Sequence, residues 1–386
     1  MEVKQVYTLV NDSAKEVLGD VEVSNFNEDL EGVVDLGDTI ENAVGYDKYV
    51  KSLVNHIGRV IFVNRAYNGG VPKVLMDGWE FGSILEKIQM DMPQATENES
   101  WELEDGQSYD PNIFYKPTIT AKFFNKMVTF EVPVSITEKQ VKQSFSNATQ
   151  LNAFVSMIYN AVDKAMTVRT ENLIMKTINN MIGETVYDAY QGGSLSASSK
   201  VRAINLLYLY NNKFGQSLSA SDCLTDKEFL RFASLTMKLY IRRLSRISKL
   251  FNVGGKERFT AKELLHVVLL TDFVVGAEMY LESDTFHNDL VALPNYEDVP
   301  YWQGSGTGYD FADISQIQIK NASGNDITVS GVLGVMFDRD SLGVANVDRR
   351  TTTNYNPKAE FFNNWYKFDA RYFNDLNENF IVFFVA

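Results

Sequence analysis

The chain has 386 residues, 45% of them hydrophobic, enough to bury a large core as one elaborate domain or as two to three lobes. Its formal charge of −14 argues against a free nucleic-acid binder, because neutralising phosphates needs a basic field. No window approaches the run of about eighteen apolar residues that a membrane helix needs, so no membrane partner is expected.

The single cysteine, Cys223, can form no internal disulfide and reads as a small buried residue of a reducing compartment. Residues 1–45 read as an arm rather than a domain. A short helical pattern (Val6, Leu9, Val10, Ala14, Val17, Leu18) gives way to acidic sequence through Asp38, which should order against partners. The first residues are mixed and acidic, so no signal peptide is expected. Tyr49, Leu53, Val54 and Ile57 then recur at helical spacing, Gly58 is a plausible stop, and VIFVNRAY is strand-like.

A long excursion follows. Ile88, Met90 and Met92 alternate with Lys87, Gln89 and Asp91, the pattern of a half-exposed strand. After Pro93 the sequence is acidic and turn-rich, and a second extended arm returns from Tyr115 to Val134. Two arms around a polar tip predict a projecting β-hairpin. Its apolar residues Ile88, Met90, Met92, Ile119, Phe123, Phe124 and Phe130 exceed what a two-stranded ribbon can bury, so they are candidate contacts with another copy. The alternative is an ordinary edge hairpin folded back on its own domain.

From Ser146 to Met181 no Gly or Pro interrupts, and Phe154, Ile158, Val162, Met166, Leu173, Ile174, Ile178 and Met181 recur at spacings of three, four and seven. One amphipathic helix of about 35 residues would span roughly 50 Å. Its interruption by Asp163, Lys164, Arg169 and Glu171 excludes a membrane span. Periodicity alone leaves open whether it is a strut in an enzyme or a backbone for other elements. QGGSLSASSK (191–200) is a linker by composition. The region 200–347 reads as a mixed lobe. One helix carries Ile204, Leu207, Tyr208 and Phe214, and another runs from a Thr225–Glu228 capping box toward Phe251. Strands are predicted at 264–273, 313–320 and 331–338, and the tail from Tyr355 adds two aromatic-rich strands.

Catalytic patterns are missing from this sequence. His56, His266 and His287 lack the close pairing of a metal site, and His266 reads as a core histidine. No Gly-x-Ser-x-Gly elbow supports a triad, and QGSGTGYD lacks the features of a nucleotide loop. Lys238, Arg242, Arg243, Arg246 and Lys249 put a basic face on one helix, either a nucleic-acid contact, a solvated face or an interface for the surplus acids. Asp338 and Asp340 resemble a turn with ion pairs, and the acids Glu97, Glu99, Glu102, Glu104 and Asp105 offer no contrast between an acid and a base. No enzyme, cofactor or metal is expected.

The stretches KSLVNHIGRVIFVNRAY, WEFGSILEKIQMDMPQA, WELEDGQSYDPNIFYKPTITAKFF, FDRDSLGV and NPKAEFFNNWYKFDARYFNDLNENFIVFFV resemble major capsid proteins of tailed bacteriophages. The resemblance is to the Hong-Kong-ninety-seven-type fold, including phi-twenty-nine-like relatives. It implies an α+β subunit with an N-terminal arm at 1–45, a lead into the peripheral domain at 46–75 and an extended hairpin (E-loop) at 76–134. The peripheral domain with its spine helix would then take 135–199, the axial domain 200–347, and peripheral C-terminal strands 348–386. The implied function is a head protein whose pentamers and hexamers close an icosahedral shell around double-stranded DNA, without sequence-specific binding, in a virion assembled in the bacterial cytoplasm. A separate scaffolding protein and a portal are the implied partners, since neither a long N-terminal scaffolding segment nor an appended C-terminal immunoglobulin-like domain is expected. An encapsulin-like nanocompartment shell is the alternative, and a soluble enzyme lacks any supporting constellation.

Overall fold

A computed structural model of the protein describes residues 11–12, 14–15, 72, 74, 85–137, 148–282, 296–303, 311–320 and 324–386. Residues 11, 12, 14 and 15 are helical and Ala14 is buried. The Gly58 stop, the VIFVNRAY strand, His56, His287 and the loop glycines at 304–308 lie outside the described residues.

In chain order the elements are β1 (Leu85–Met90), β2 (Ile119–Phe124), β3 (Met127–Thr137) and α1 (Ala148–Tyr190). Then come β4 (Ala203–Asn205), α2 (Leu206–Phe214), α3 (Lys227–Leu244), β5 (Leu265–Leu270) and α4 (Thr271–Glu282). The last are β6 (Tyr296–Val299), α5 (Phe311–Ile314), β7 (Ile317–Lys320), β8 (Asp326–Val329), β9 (Val332–Asp338), β10 (Leu342–Asn356), β11 (Phe361–Asn374) and β12 (Phe380–Phe384). Most of the strand pairings are antiparallel and the helices are not repeated βαβ crossovers, as in an α+β fold.

The chain forms two compact units. The first comprises Met1–Gly70, Met127–Leu173 and Ala345–Arg371. Its three-stranded sheet has the order β10-β11-β3, with β3 antiparallel to β11. Pro133, inside β3, is tolerated because β3 is an edge strand and its missing N–H faces no neighbour. A polar tie crosses all three strands: Asp369 of β11 accepts from Thr129 Oγ1 at 2.6 Å and from Arg350 Nη1 at 2.5 Å. The Arg350 hydrogen bond holds the Asp369 carboxyl below its ordinary range, against the opposing effect of burial.

The second unit comprises Val71–Lys126, Ile174–Val344 and Tyr372–Ala386. Its centre is a five-stranded sheet, β4-β12-β9-β5-β6. β9 and β12 are buried along their whole length, which is why both read as continuous apolar runs instead of alternating ones. β12 lies between β4 and β9, so the last strand of the chain completes the sheet that the 200–347 region builds. Trp302 is buried beside it and donates from Nε1 to the Val332 carbonyl at 2.9 Å.

The long helix extends beyond its predicted end. α1 passes through Gly183 to Tyr190, where Gln191 takes a φ of 53°. A Cβ at Gly183 would collide with the end of the Ile319 side chain on β7, so this glycine marks a close approach and not a stop. The N-cap of α3 is Asp226, whose carboxylate accepts from Phe229 N at 2.6 Å, one residue beyond the expected Thr225; the helix ends at Leu244, short of Phe251. The strand expected through Phe273 becomes helix at Thr271, and that expected from Asp313 begins at Ile317. His266 stacks on Phe337 with ring centroids 5.5 Å apart, and burial lowers its pKa. Cys223 is fully buried, and burial pushes its thiol up to about 12.

Candidate assembly surface

The arm expected from Tyr115 to Val134 is two strands that part company at Asn125 and Lys126. β2 pairs with β1, whereas β3 pairs with β11. The hairpin is therefore β1 and β2 alone, antiparallel, with Met90 opposite Ile119 and Ile88 opposite Ala121. Successive side chains in a strand point to opposite faces, so Lys87, Gln89, Thr120, Lys122 and Phe124 share one face and Ile88, Met90, Ala121 and Phe123 the other.

The charged face is the one turned to the subunit. Lys87 and Lys122 stand directly opposite each other, which by itself is repulsive. Asp375, whose side chain is wholly buried, resolves this by taking Lys87 Nζ on Oδ2 at 3.1 Å and Lys122 Nζ on Oδ1 at 3.0 Å. Asp375 sits in the turn between β11 and β12, held by its own N–H on the Ser341 carbonyl and by the Asn377 N–H on Oδ1. Lys87 donates a further bond to the Asp340 carbonyl at 2.7 Å, and Gln89 Nε2 donates to Glu378 Oε1 at 3.1 Å. Arg258 Nε lies 3.2 Å from Glu378 Oε2, and Lys256 Nζ donates to Asp91 at 2.7 Å. Burial would raise the Asp375 carboxyl, but Lys87, Lys122 and the Asn377 N–H outweigh it and hold it below its ordinary value. Burial wins at Glu378, which is raised despite Lys87 and Arg258.

The apolar face is turned to solvent. Ile88 is 68% and Phe123 62% exposed, and Met90, Met92 and Ile119 are likewise exposed. This inverts the usual arrangement of a half-buried strand, in which the apolar set faces the core. Two of the seven candidate residues belong elsewhere. Phe124 points inward and packs on Phe373 at 5.3 Å, and Phe130 lies on β3, stacked on Phe368 at 5.0 Å. The tip adds residues that strand patterning passed over. Every residue from Ser100 to Ile119 is exposed, including Leu103, Phe114, Tyr115 and Trp101, the last at 96%. Aromatics set in an acidic, aperiodic stretch are the sequence signal for such a surface.

Among the described residues no three His, Cys, Asp or Glu side chains come together as a metal site, and no helix is long and apolar enough to cross a membrane. Asp338 accepts from the Asp340 N–H at 3.0 Å in a turn.

A family model for the Phi29-like phage major capsid protein matches residues 10–384. Among solved structures, the capsid of Staphylococcus phage Andhra matches with a TM-score of 0.54 at 10% identity, covering 84% of this chain and 86% of that one. The capsid of Cyanophage P-SCSP1u gives a TM-score of 0.46 at 8% identity, covering 84% and 93%. The likeness to the Andhra capsid is one of fold. No curated protein matches the sequence.

Proposed function

The chain belongs to the Phi29-like phage major capsid proteins and is a shell-forming head protein with the Hong-Kong-ninety-seven-type fold, and from that premise we propose how its copies hold together. The hairpin clasps a neighbouring copy through Ile88, Met90, Met92, Ile119 and Phe123. The observation that carries this reading is the inverted hairpin: its polar face is tied to Asp375 and Glu378, and its apolar face is uncovered. Fully burying side chains of this size contributes roughly 1.5–3 kcal/mol each, less the ordering costs of association. Repeated around a closed shell of pentamers and hexamers, such contacts accumulate.

In this reading residues 1–45 serve as the N-terminal arm, β1, β2 and the tip between them as the E-loop and α1 as the spine, and the shell encloses double-stranded DNA without reading its sequence. The charge of −14 suits a container, since a basic wall would adhere to the packaged DNA. A separate scaffolding protein and a portal complete the head, which assembles in the host cytoplasm and resides in the virion. The protein acts mechanically and not as an enzyme.

The test replaces residues 92–118 and both hairpin strands by a short Gly-Ser link, and compares particle mass and electron micrographs with the parent. The expected product is folded subunit that stops at monomers or isolated capsomers. Closed shells of parental stability from this deletion would show that the clasp is not what holds copies together.

A further inference from the structure

We propose that the acidic, aromatic tip of the hairpin docks on the basic, leucine-bearing face of α3 in a second copy of the chain; this rests on the shell-forming reading and names a contact within it. Two exposed surfaces of the second unit are complementary and do not meet within one copy. The first is the tip. Between Met92 and Lys116 there are six carboxylates and no Lys or Arg. Trp101 and Leu103 stand exposed among Glu97, Glu102, Glu104 and Asp105. A near-fully exposed Trp has no partner in its own subunit, and segments that bury so little on their own chain order against something else.

The second surface is the outer face of α3. Arg231, Leu235, Leu239 and Arg242 follow one another at spacings of four, four and three, so they form one stripe, and Arg246 continues it beyond the helix end. Leu235 is 56% exposed and Leu239 is also exposed, although the opposite side of the helix is buried through Phe229, Ala233, Met237 and Leu244. Among the described residues no carboxylate forms an ion pair with Arg231, Arg242 or Arg246, despite the surplus of acids in the chain. An arginine row is the natural partner of carboxylates and of an indole face alike, because the planar guanidinium both forks onto carboxylates and stacks on aromatics. From Arg231 to Arg242 the stripe is ~16 Å long.

A second copy is the occupant the charges select. Copies carrying −14 each repel one another, so local pairs of opposite sign favour and orient contacts between them. The tip and the α3 stripe supply one of each, with apolar residues at the centre of both, the anatomy of an interface core with a charged rim. A basic helix face can also receive DNA phosphates, and the experiment separates the two occupants.

The experiment compares wild type with Glu102→Arg/Glu104→Arg, with Arg231→Glu/Arg242→Glu, and with all four changes together. All of these positions are exposed, and circular dichroism and Tm verify the fold of each variant. Closed particles are counted by electron microscopy and analytical ultracentrifugation. Each reversal alone is expected to cut particle yield by roughly tenfold or more, and the fourfold variant to recover most of it, as exchanged charge partners do. In parallel, Leu103→Cys with Leu239→Cys in a Cys223→Ser background should give disulfide-linked oligomers from oxidised particles, reversed by reductant. Shells that close normally in both reversals, or particles without cross-linking and without charge-swap rescue, would overturn the contact while leaving the head-protein reading intact. Loss of duplex-DNA retention in Arg231→Glu/Arg242→Glu, with undiminished shell yield, would assign the stripe to DNA and overturn it too. Wild-type protein that never closes into particles would remove the premise, and this contact with it.

Discussion

Lys87 on the hairpin and Asp375 on the turn before β12 are 288 residues apart in sequence and 3.1 Å apart in space, the carboxylate wholly buried. This pair, with Lys122 on the other oxygen, fixes which face of the hairpin looks inward. Asp375→Asn keeps the shape and removes the charge, leaving two lysines opposed across the strands. The expected loss is about 2–3 kcal/mol, below the ~3–5 kcal/mol of a fully buried pair because Lys122 is partly solvated. Urea denaturation measures the loss, and hydrogen exchange should show β1 and β2 opening first. Unchanged protection there would mean the hairpin is held by other contacts.

The two carboxylates of this cluster respond to pH in opposite senses. Asp375 is held below its ordinary 3.8, so it binds fewer protons folded than unfolded. Its contribution is complete above that value and fades only as pH falls through the lower folded one. Glu378 is raised above its ordinary 4.5, so its contribution is present below that value and is lost as pH rises through the folded one. Glu378→Gln should therefore leave Tm unchanged or slightly higher at pH 7, with the difference vanishing at pH 4. A clear drop in Tm at pH 7 would contradict the raised pKa.

Phe123 and Phe124 are neighbours on opposite faces, and their substitutions should part accordingly. Phe123→Asp is expected to leave the Tm of the unassembled subunit within experimental error and to abolish or sharply reduce closed particles. Phe124→Ala removes a ring packed on Phe373 and should cost about 2–3 kcal/mol, since the site is only half-buried. Denaturation curves together with sedimentation of the two variants decide the matter; a destabilised Phe123→Asp subunit would place that ring inside.

Gly331 opens β9 with a φ of 71°, and a Cβ there would overlap the Val385 carbonyl oxygen at the end of β12. Gly331→Ala combines a left-handed backbone, about 1–2 kcal/mol, with a clash against main chain that cannot rotate away, about 1–3 kcal/mol. Gly215 has a φ of 64° with nothing near its Cβ position, so Gly215→Ala should incur only the backbone part. Thermal unfolding of the two variants compares them directly, and equal losses would refute the steric argument.

The strands and helices were largely legible because their signals are local. Alternation over 87–92 gives a strand with one charged and one apolar face, and the stripe from Ile158 to Met181 gives a helix. The same locality explains the errors. The helix expected to Met181 runs on through Gly183, where the missing side chain admits Ile319, and the extended run 115–134 hides the junction between strands of two different sheets. The site was half legible for the same reason. Periodicity separates Phe123 from Phe124, but it carries no sign saying which face meets the subunit.

The sequence by itself determined most of the secondary structure, the acidic balance and the two-faced hairpin, because these depend on residues within a few positions of one another. The tertiary structure decided the orientation. A buried carboxylate at Asp375 costs too much to leave unpaired, so it draws in Lys87 and Lys122, and the pleat then forces Ile88, Met90 and Phe123 outward. It also set the final strand, Phe380–Phe384, between β4 and β9, since only folding brings its apolar run against the two partners that satisfy its backbone.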